Sequence, residues 1–233
     1  SLNAVNTKSW IKYAKMIEET GVDGLEINLY QTPSDFDLEG ADIENNQIDI
    51  VRELKNNITI PFSIKLSSDY TNVLNFIKKL DAVGVGGLIL FNSFFQPDID
   101  IEIEKHVKSF NLSQKGDYKK SLRYAGMLYG NIAADICSSR GVFNGDDVVK
   151  LILSGATAVQ VVSSVYKNGT ARIAEIKKEL SEWMEQRGYN NLEEFRGKLA
   201  NINLDKNQNA LVYKRAQYID LLLSSDTIFG NFK

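Results

Sequence analysis

Short apolar strands alternating with amphipathic helices, and strands that are apolar on one set of alternate residues and polar on the other, predict an α/β protein built as a (β/α)8 barrel of the TIM type. Six β/α units are visible in the 233 residues. A full ring has eight, so the expectation is a barrel that lacks its first two strands in this sequence.

The elements follow in order. A first strand is read at 1–4. Over 7–19, Trp10, Tyr13, Ala14 and Ile17 recur at the spacing of one helical face, and Gly21 stops the helix. Asp23-Gly24-Leu25-Glu26-Ile27-Asn28-Leu29 alternates as a strand. A loop with Pro33 and Gly40 leads to a helix over 43–55 and then to the strand Pro61-Phe62-Ser63-Ile64-Lys65-Leu66. A helix is read over 72–83, ended by Gly84, and an almost continuously apolar strand over 86–92. Residues 94–118 break the rhythm. Their run Asp98-Ile99-Asp100-Ile101-Glu102-Ile103-Glu104 alternates strictly and suggests an exposed inserted arm. Helix 122–128, strand 131–137, helix 145–153, strand 156–163 and helix 170–187 complete the series. A short helix is expected over 191–199 and a last one over 210–223. The domain reading is a barrel over 1–200 with the arm at 94–118, then a C-terminal helix and tail over 201–233.

A doubly wound sheet is the competing architecture. Neighbouring strand residues point to opposite faces. Leu25, Ile27 and Leu29, then Phe62, Ile64 and Leu66, then Gly87, Ile89 and Phe91 would face the helices, leaving Glu26, Asn28, Ser63, Lys65 and Asn92 to converge inside. A sheet covered on both faces is more often apolar on both, so the parity favours the barrel. Barrels place their chemistry at the carboxyl ends of the strands.

Composition narrows the function classes. Twenty-seven Lys+Arg against 30 Asp+Glu leave a net charge of −3, with no basic block to hold nucleic acid or an anionic membrane. No apolar run is long enough for a membrane span. One cysteine, Cys137, allows no internal disulfide framework, and one histidine, His106, leaves no second imidazole for a metal site; no metal is expected. Cys137 reads as strand filler and His106 as a surface residue of the arm. The Asn-x-Ser/Thr triplets at Asn57, Asn111 and Asn168 read as chance matches. A cytoplasmic setting fits.

Lys65, inward near the end of its strand, is costly to bury unless paired or used. It either pairs with Glu26 or offers a cation to an anionic or electron-rich ligand. Asn28 and Asn92 supply donors and acceptors for a planar polar ligand, or close their loops through backbone hydrogen bonds. Ser138-Ser139-Arg140-Gly141-Val142 and Ser163-Ser164 each lie between a strand and a helix, where backbone N–H groups of two late loops can cradle a phosphate; the same residues also suit ordinary turns.

Gly24-Leu25-Glu26-Ile27-Asn28-Leu29, Pro61-Phe62-Ser63-Ile64-Lys65-Leu66, Leu90-Phe91-Asn92-Ser93, the run from Phe91 to Asp100, Gly155-Ala156-Thr157-Ala158-Val159-Gln160 and Phe195-Arg196-Gly197-Lys198-Leu199 together resemble the dihydroorotate dehydrogenases, in particular the dihydroorotate dehydrogenase-like proteins of bacteria. The resemblance implies a (β/α)8 barrel that holds FMN at its carboxyl end. It implies that Lys65 lies beside the flavin ring, where its charge would stabilise the anionic reduced form, that Asn28 lies near ring and substrate, and that Asn92 and Ser93 line the substrate site. Gly141, Ser163 and Ser164 fall in the loops that hold the FMN phosphate. Three departures stand out. The position of the family's catalytic Cys or Ser reads Gln31, which cannot act as a base at neutral pH, and nothing visible activates the neighbouring Tyr30 or Thr32. Phe94 and Phe95 replace small residues. Arg140 replaces a glycine, and would either obstruct a phosphate or grip it.

The expectation is an FMN-dependent oxidoreductase acting on dihydroorotate or a related small molecule. The alternative is a non-catalytic barrel relative serving as a structural or interaction subunit. A phosphate-substrate lyase or isomerase on the same fold would need a second inward acid or base, for which Glu26 is the evident candidate. The apolar positions of the last helix, among them Leu211, Val212, Ile219 and Leu222, suggest docking on the barrel or on a second subunit, a homodimer.

Overall fold

The computed structural model describes residues 1–29, 31, 33–93, 97–108, 111–204 and 213. Helix α1 (Thr7–Glu18) starts where the Asn6 side chain accepts the Ser9 N–H, and strand β1 (Leu25–Asn28) follows it. Next come α2 (Gly40–Asn57), β2 (Phe62–Leu66), α3 (Val73–Val83) and β3 (Gly87–Leu90). The arm contains an antiparallel hairpin of β4 (Asp98–Asp100) and β5 (Lys105–Val107), with His106 exposed opposite Ile99. Then α4 (Lys119–Leu128), β6 (Asp135–Ser138), α5 (Gly145–Ser154), β7 (Ala158–Val159), α6 (Ser163–Asn168) and α7 (Arg172–Arg187) complete the units.

The five strands β1, β2, β3, β6 and β7 form one parallel sheet in chain order. Consecutive right-handed crossovers without a reversal of order keep the helices on one face. Accordingly α1 packs on α2, α2 on α3, α4 on α5, and α5 on α7. That is an arc of a (β/α)8 barrel, and it excludes the doubly wound alternative, whose strand order reverses.

The helix side of the arc is the core. Ile27, Ile64, Leu66, Leu88 and Leu90 are fully buried against Val51, Leu54, Phe76, Ile77 and Leu80, each contributing about 1.5–3 kcal/mol by leaving water. A second apolar cluster gathers Leu151, Ile152 and Ile176 around Phe195, whose ring lies within 5.2 Å of those of Trp183 and Tyr189. The opposite face of the arc is half-buried. It carries Glu26, Asn28, Ser63, Lys65, Gly87 and Cys137, as alternation in β1 and β2 predicts.

Several expectations need correction. The segment 1–4 is not a strand; Leu2 makes a single parallel bridge to Ile27. In β3 the faces are reversed. Pairing of Ser63 with Gly87 and Lys65 with Ile89 puts Gly87 and Ile89 on the inner face and Leu88 and Leu90 under the helices. Phe91 nevertheless packs on the helix side, edge-on to the Tyr124 ring of α4. The strand expected from 131 begins only at Asp135, because the N–H groups of Ala133 and Ala134 donate to the Asp81 carboxylate at the end of α3. The strand expected over 156–163 is two residues long, and Ser163 and Ser164 open the helix α6. The short helix expected over 191–199 is a 3-10 turn at Leu192–Glu194. Of the helix expected over 210–223, only Tyr213 is described; its hydroxyl donates to the Leu199 carbonyl. Among the described residues no helix is long and apolar enough to cross a membrane.

Candidate functional site

Among the described residues, the inner face carries a lower and an upper cavity. The lower, about 480 Å³, opens between the amino-terminal halves of the strands and is lined by Glu26, Ser63, Gly87, Ile89, Cys137 and Gln160, among others. The upper, about 180 Å³, lies at the carboxyl ends and is lined by Lys65, Asn92, Ser93, Ser113, Arg140, Gly141, Gln160 and Ser163, among others. The upper pocket brings together five of the residues singled out in the sequence: Lys65, Asn92, Ser93, Gly141 and Ser163. It also contains Arg140.

Lys65 leaves the inner face of β2 and reaches Gln160 Oε1 at 3.0 Å and Glu26 Oε1 at 3.5 Å. Gln160 Nε2 donates to Glu26 Oε2 at 2.7 Å, and Ser1 Oγ to Glu26 Oε1 at 2.9 Å. Burial pushes the Glu26 carboxyl up, but the Gln160 hydrogen bond and the Lys65 charge outweigh it and hold the group below its ordinary value. Lys65 therefore pairs with Glu26 and also lines the upper pocket. Cys137, in the same cross-strand row, has its thiol pushed up to about 11 by burial and by the Glu26 charge, so it is protonated and unreactive near neutral pH.

Asn28, at the end of β1, accepts a hydrogen bond from Asn92 Nδ2 at 2.7 Å. Beside this pair the Ser93 hydroxyl is buried without a partner among the described residues.

The two late loops meet at a residue the sequence reading passed over. Ser113, buried at the base of the arm, accepts the Gly141 N–H at 3.0 Å through its hydroxyl. The Ser113 N–H and hydroxyl both approach Ser163 Oγ, at 2.9 and 2.7 Å. In the sequence it stands out only as the last residue of the Asn111-Leu112-Ser113 triplet, which reads as a chance match. Gly141 adopts φ +63°, and a Cβ there would lie 2.7 Å from the Gln114 carbonyl and the Asp117 N–H, so no larger residue fits the turn. Arg140 is itself left-handed, at φ +77°. Its Nη2 lies 3.6 Å from Asp117, and its Nε is buried without a hydrogen bond among the described residues.

Two sequence candidates lie elsewhere. Ser164 is fully buried in α6, with its carbonyl and hydroxyl oxygens facing Asn168 Nδ2, and is not on the pocket wall. Gln31 is exposed and lines neighbouring cavities with Pro33, Gln47 and Tyr70, or with Trp10 and Leu29, rather than the Lys65 pocket. Phe94 and Phe95 lie outside the described residues.

The sequence profile described as dihydroorotate dehydrogenase matches residues 3–184. A relative from Thermoplasma volcanium, named as the catalytic subunit of dihydroorotate dehydrogenase B (NAD(+)), is 28% identical over 202 residues, covering 84% of this chain and 66% of its own length. One of the same name from Methanocaldococcus jannaschii is 29% identical over 136 residues, 56% of this chain and 44% of the relative. A dihydroorotate dehydrogenase A (fumarate) from Lactobacillus helveticus is 23% identical over 208 residues, 85% of this chain and 66% of the relative. The chain thus spans just under two thirds of the length of these relatives at most. With the profile covering most of its length and the strand order matching the family's barrel, the chain belongs to the dihydroorotate dehydrogenase family.

Proposed function

We propose that this chain is the cofactor-binding part of an FMN-dependent oxidoreductase of the dihydroorotate dehydrogenase type, acting on dihydroorotate or a related small molecule. The observation that carries the reading is the convergence of Lys65, Arg140, the Gly141 loop and Ser163 on one pocket at the carboxyl ends of the strands. The donor set suits FMN. The Arg140 Nε and Ser93 Oγ, buried and without a partner among the described residues, are groups that a bound polar ligand would satisfy, and Arg140 with the Gly141 and Ser163 loops suits a phosphate.

When bound, FMN would supply the hydride-accepting ring. Lys65 would set a positive charge beside the electron-rich end of that ring, fixed in place by Gln160 and Glu26. Arg140 and the Ser163 hydroxyl would hold the phosphate, with Ser113 joining the Gly141 loop to Ser163. Asn28 and Asn92 would present amide groups to a planar polar substrate beside Ser93.

The test is the visible spectrum of full-length protein reconstituted with FMN. Bound-flavin absorbance that is lost in Lys65→Ala supports the reading, and a colourless protein overturns it.

Gln31 favours a second reading, a non-catalytic relative that kept the barrel. It is neutral, exposed and apart from the Lys65 pocket. Oxidation of dihydroorotate with a dye acceptor at ordinary enzyme rates would eliminate that reading.

A further inference from the structure

Glu26, Lys65 and Gln160 form a closed cycle across the inner face of the arc. They come from β1, β2 and the residue after β7, which the chain separates by 95 and 134 positions in the two Gln160 contacts. The Gln160 backbone is anchored first, its N–H donating to the Ser138 carbonyl at 2.8 Å. Its amide can then face only one way. Oε1 meets the Lys65 ammonium and Nε2 meets the Glu26 carboxylate, whereas the reversed amide would set donor against donor and acceptor against acceptor.

The consequence is a loosened ion pair. A direct ammonium–carboxylate hydrogen bond closes to about 2.7–2.9 Å, yet Lys65 Nζ and Glu26 Oε1 stand 3.5 Å apart. Each charge instead makes a short contact with one end of Gln160, and Glu26 Oε1 also accepts from the Ser1 hydroxyl at 2.9 Å. The cavities divide along the same line: Glu26 lines only the lower one, Lys65 only the upper one, and Gln160 both.

We propose that Gln160 is a positioning residue whose amide keeps Glu26 and Lys65 from closing into a tight pair, so that the Lys65 charge stays available to an anionic or electron-rich ligand in the upper pocket. The identity of that ligand as FMN rests on the function proposed above; the spacer geometry does not.

Two measurements on the full-length protein separate these claims. In crystal structures, Gln160→Leu should let Lys65 and Glu26 close from 3.5 Å to about 2.8 Å, and an unchanged separation overturns the proposal. With FMN bound, the same substitution should weaken FMN about tenfold or more and shift the flavin midpoint potential to more negative values. Adding Glu26→Gln removes the competing carboxylate and should reverse both changes. A wild-type potential in Gln160→Leu, or a double variant no better than the single, overturns the proposal. Should the apolar variant not fold, Gln160→Glu, which places a second carboxylate on the ammonium, must also lower the potential. A wild-type protein that takes up no FMN counts against the proposed function, and the ion-pair separation then decides the role of Gln160.

Discussion

Asn92 donates its side-chain amide to the Asn28 oxygen across 2.7 Å, joining the end of β1 to the loop after β3 over the strand between them. Each amide retains groups that this bond does not use. Asn92→Ala should therefore cost stability only about 1 kcal/mol while weakening flavin or orotate binding by a larger factor. Urea denaturation and isothermal titration of the same samples check the difference; an equal loss in both would make the pair purely structural.

Ser113 ties the arm to both late loops. Removing its hydroxyl in Ser113→Ala strips the buried Gly141 N–H of its acceptor, a loss of about 1–3 kcal/mol. The expected outcome is a lower urea midpoint with an unchanged slope.

Arg140 sits in the left-handed region, where a side chain costs about 1–2 kcal/mol, and its ion pair with Asp117 is long and partly exposed. Arg140→Gly should unfold at the same temperature as the wild type or higher, yet bind FMN more weakly. Thermal unfolding read beside a flavin titration checks both halves, and unchanged FMN affinity would remove Arg140 from the phosphate site.

The Glu26 carboxyl is held below its ordinary value of 4.5. A depressed carboxyl favours the folded state when it is ionised. Its contribution is thus complete above the unfolded value and is lost as the pH falls through the lower folded one. Between neutrality and acid, the wild type should lose urea resistance more steeply than Glu26→Gln, and parallel pH profiles would contradict the Lys65–Gln160–Glu26 cycle.

Much of the fold was legible in residue order. Leu25, Ile27, Phe62, Ile64 and Leu66 declared their buried face because β1 and β2 alternate, and Lys65 and Asn28 were placed inward by the same parity. The run Gly87–Leu90 carries no such alternation, so its faces were misassigned and only the pairing with β2 settled them. Strand 131–137 was overread for a related reason, since apolar residues at 132–134 do not reveal that Asp81 captures their N–H groups.

Local periodicity thus determined the α/β class, the barrel-type alternation and the inward candidates, because side-chain direction in a strand or helix depends on neighbours a few residues away. The site needed the tertiary structure. The periodicity around Gln160 and Ser113 does not single them out, and their side-chain roles arise from partners 28 to 134 positions away. Hydrogen bonds of that range depend on strand order and register, and these are set by the packing of the whole arc.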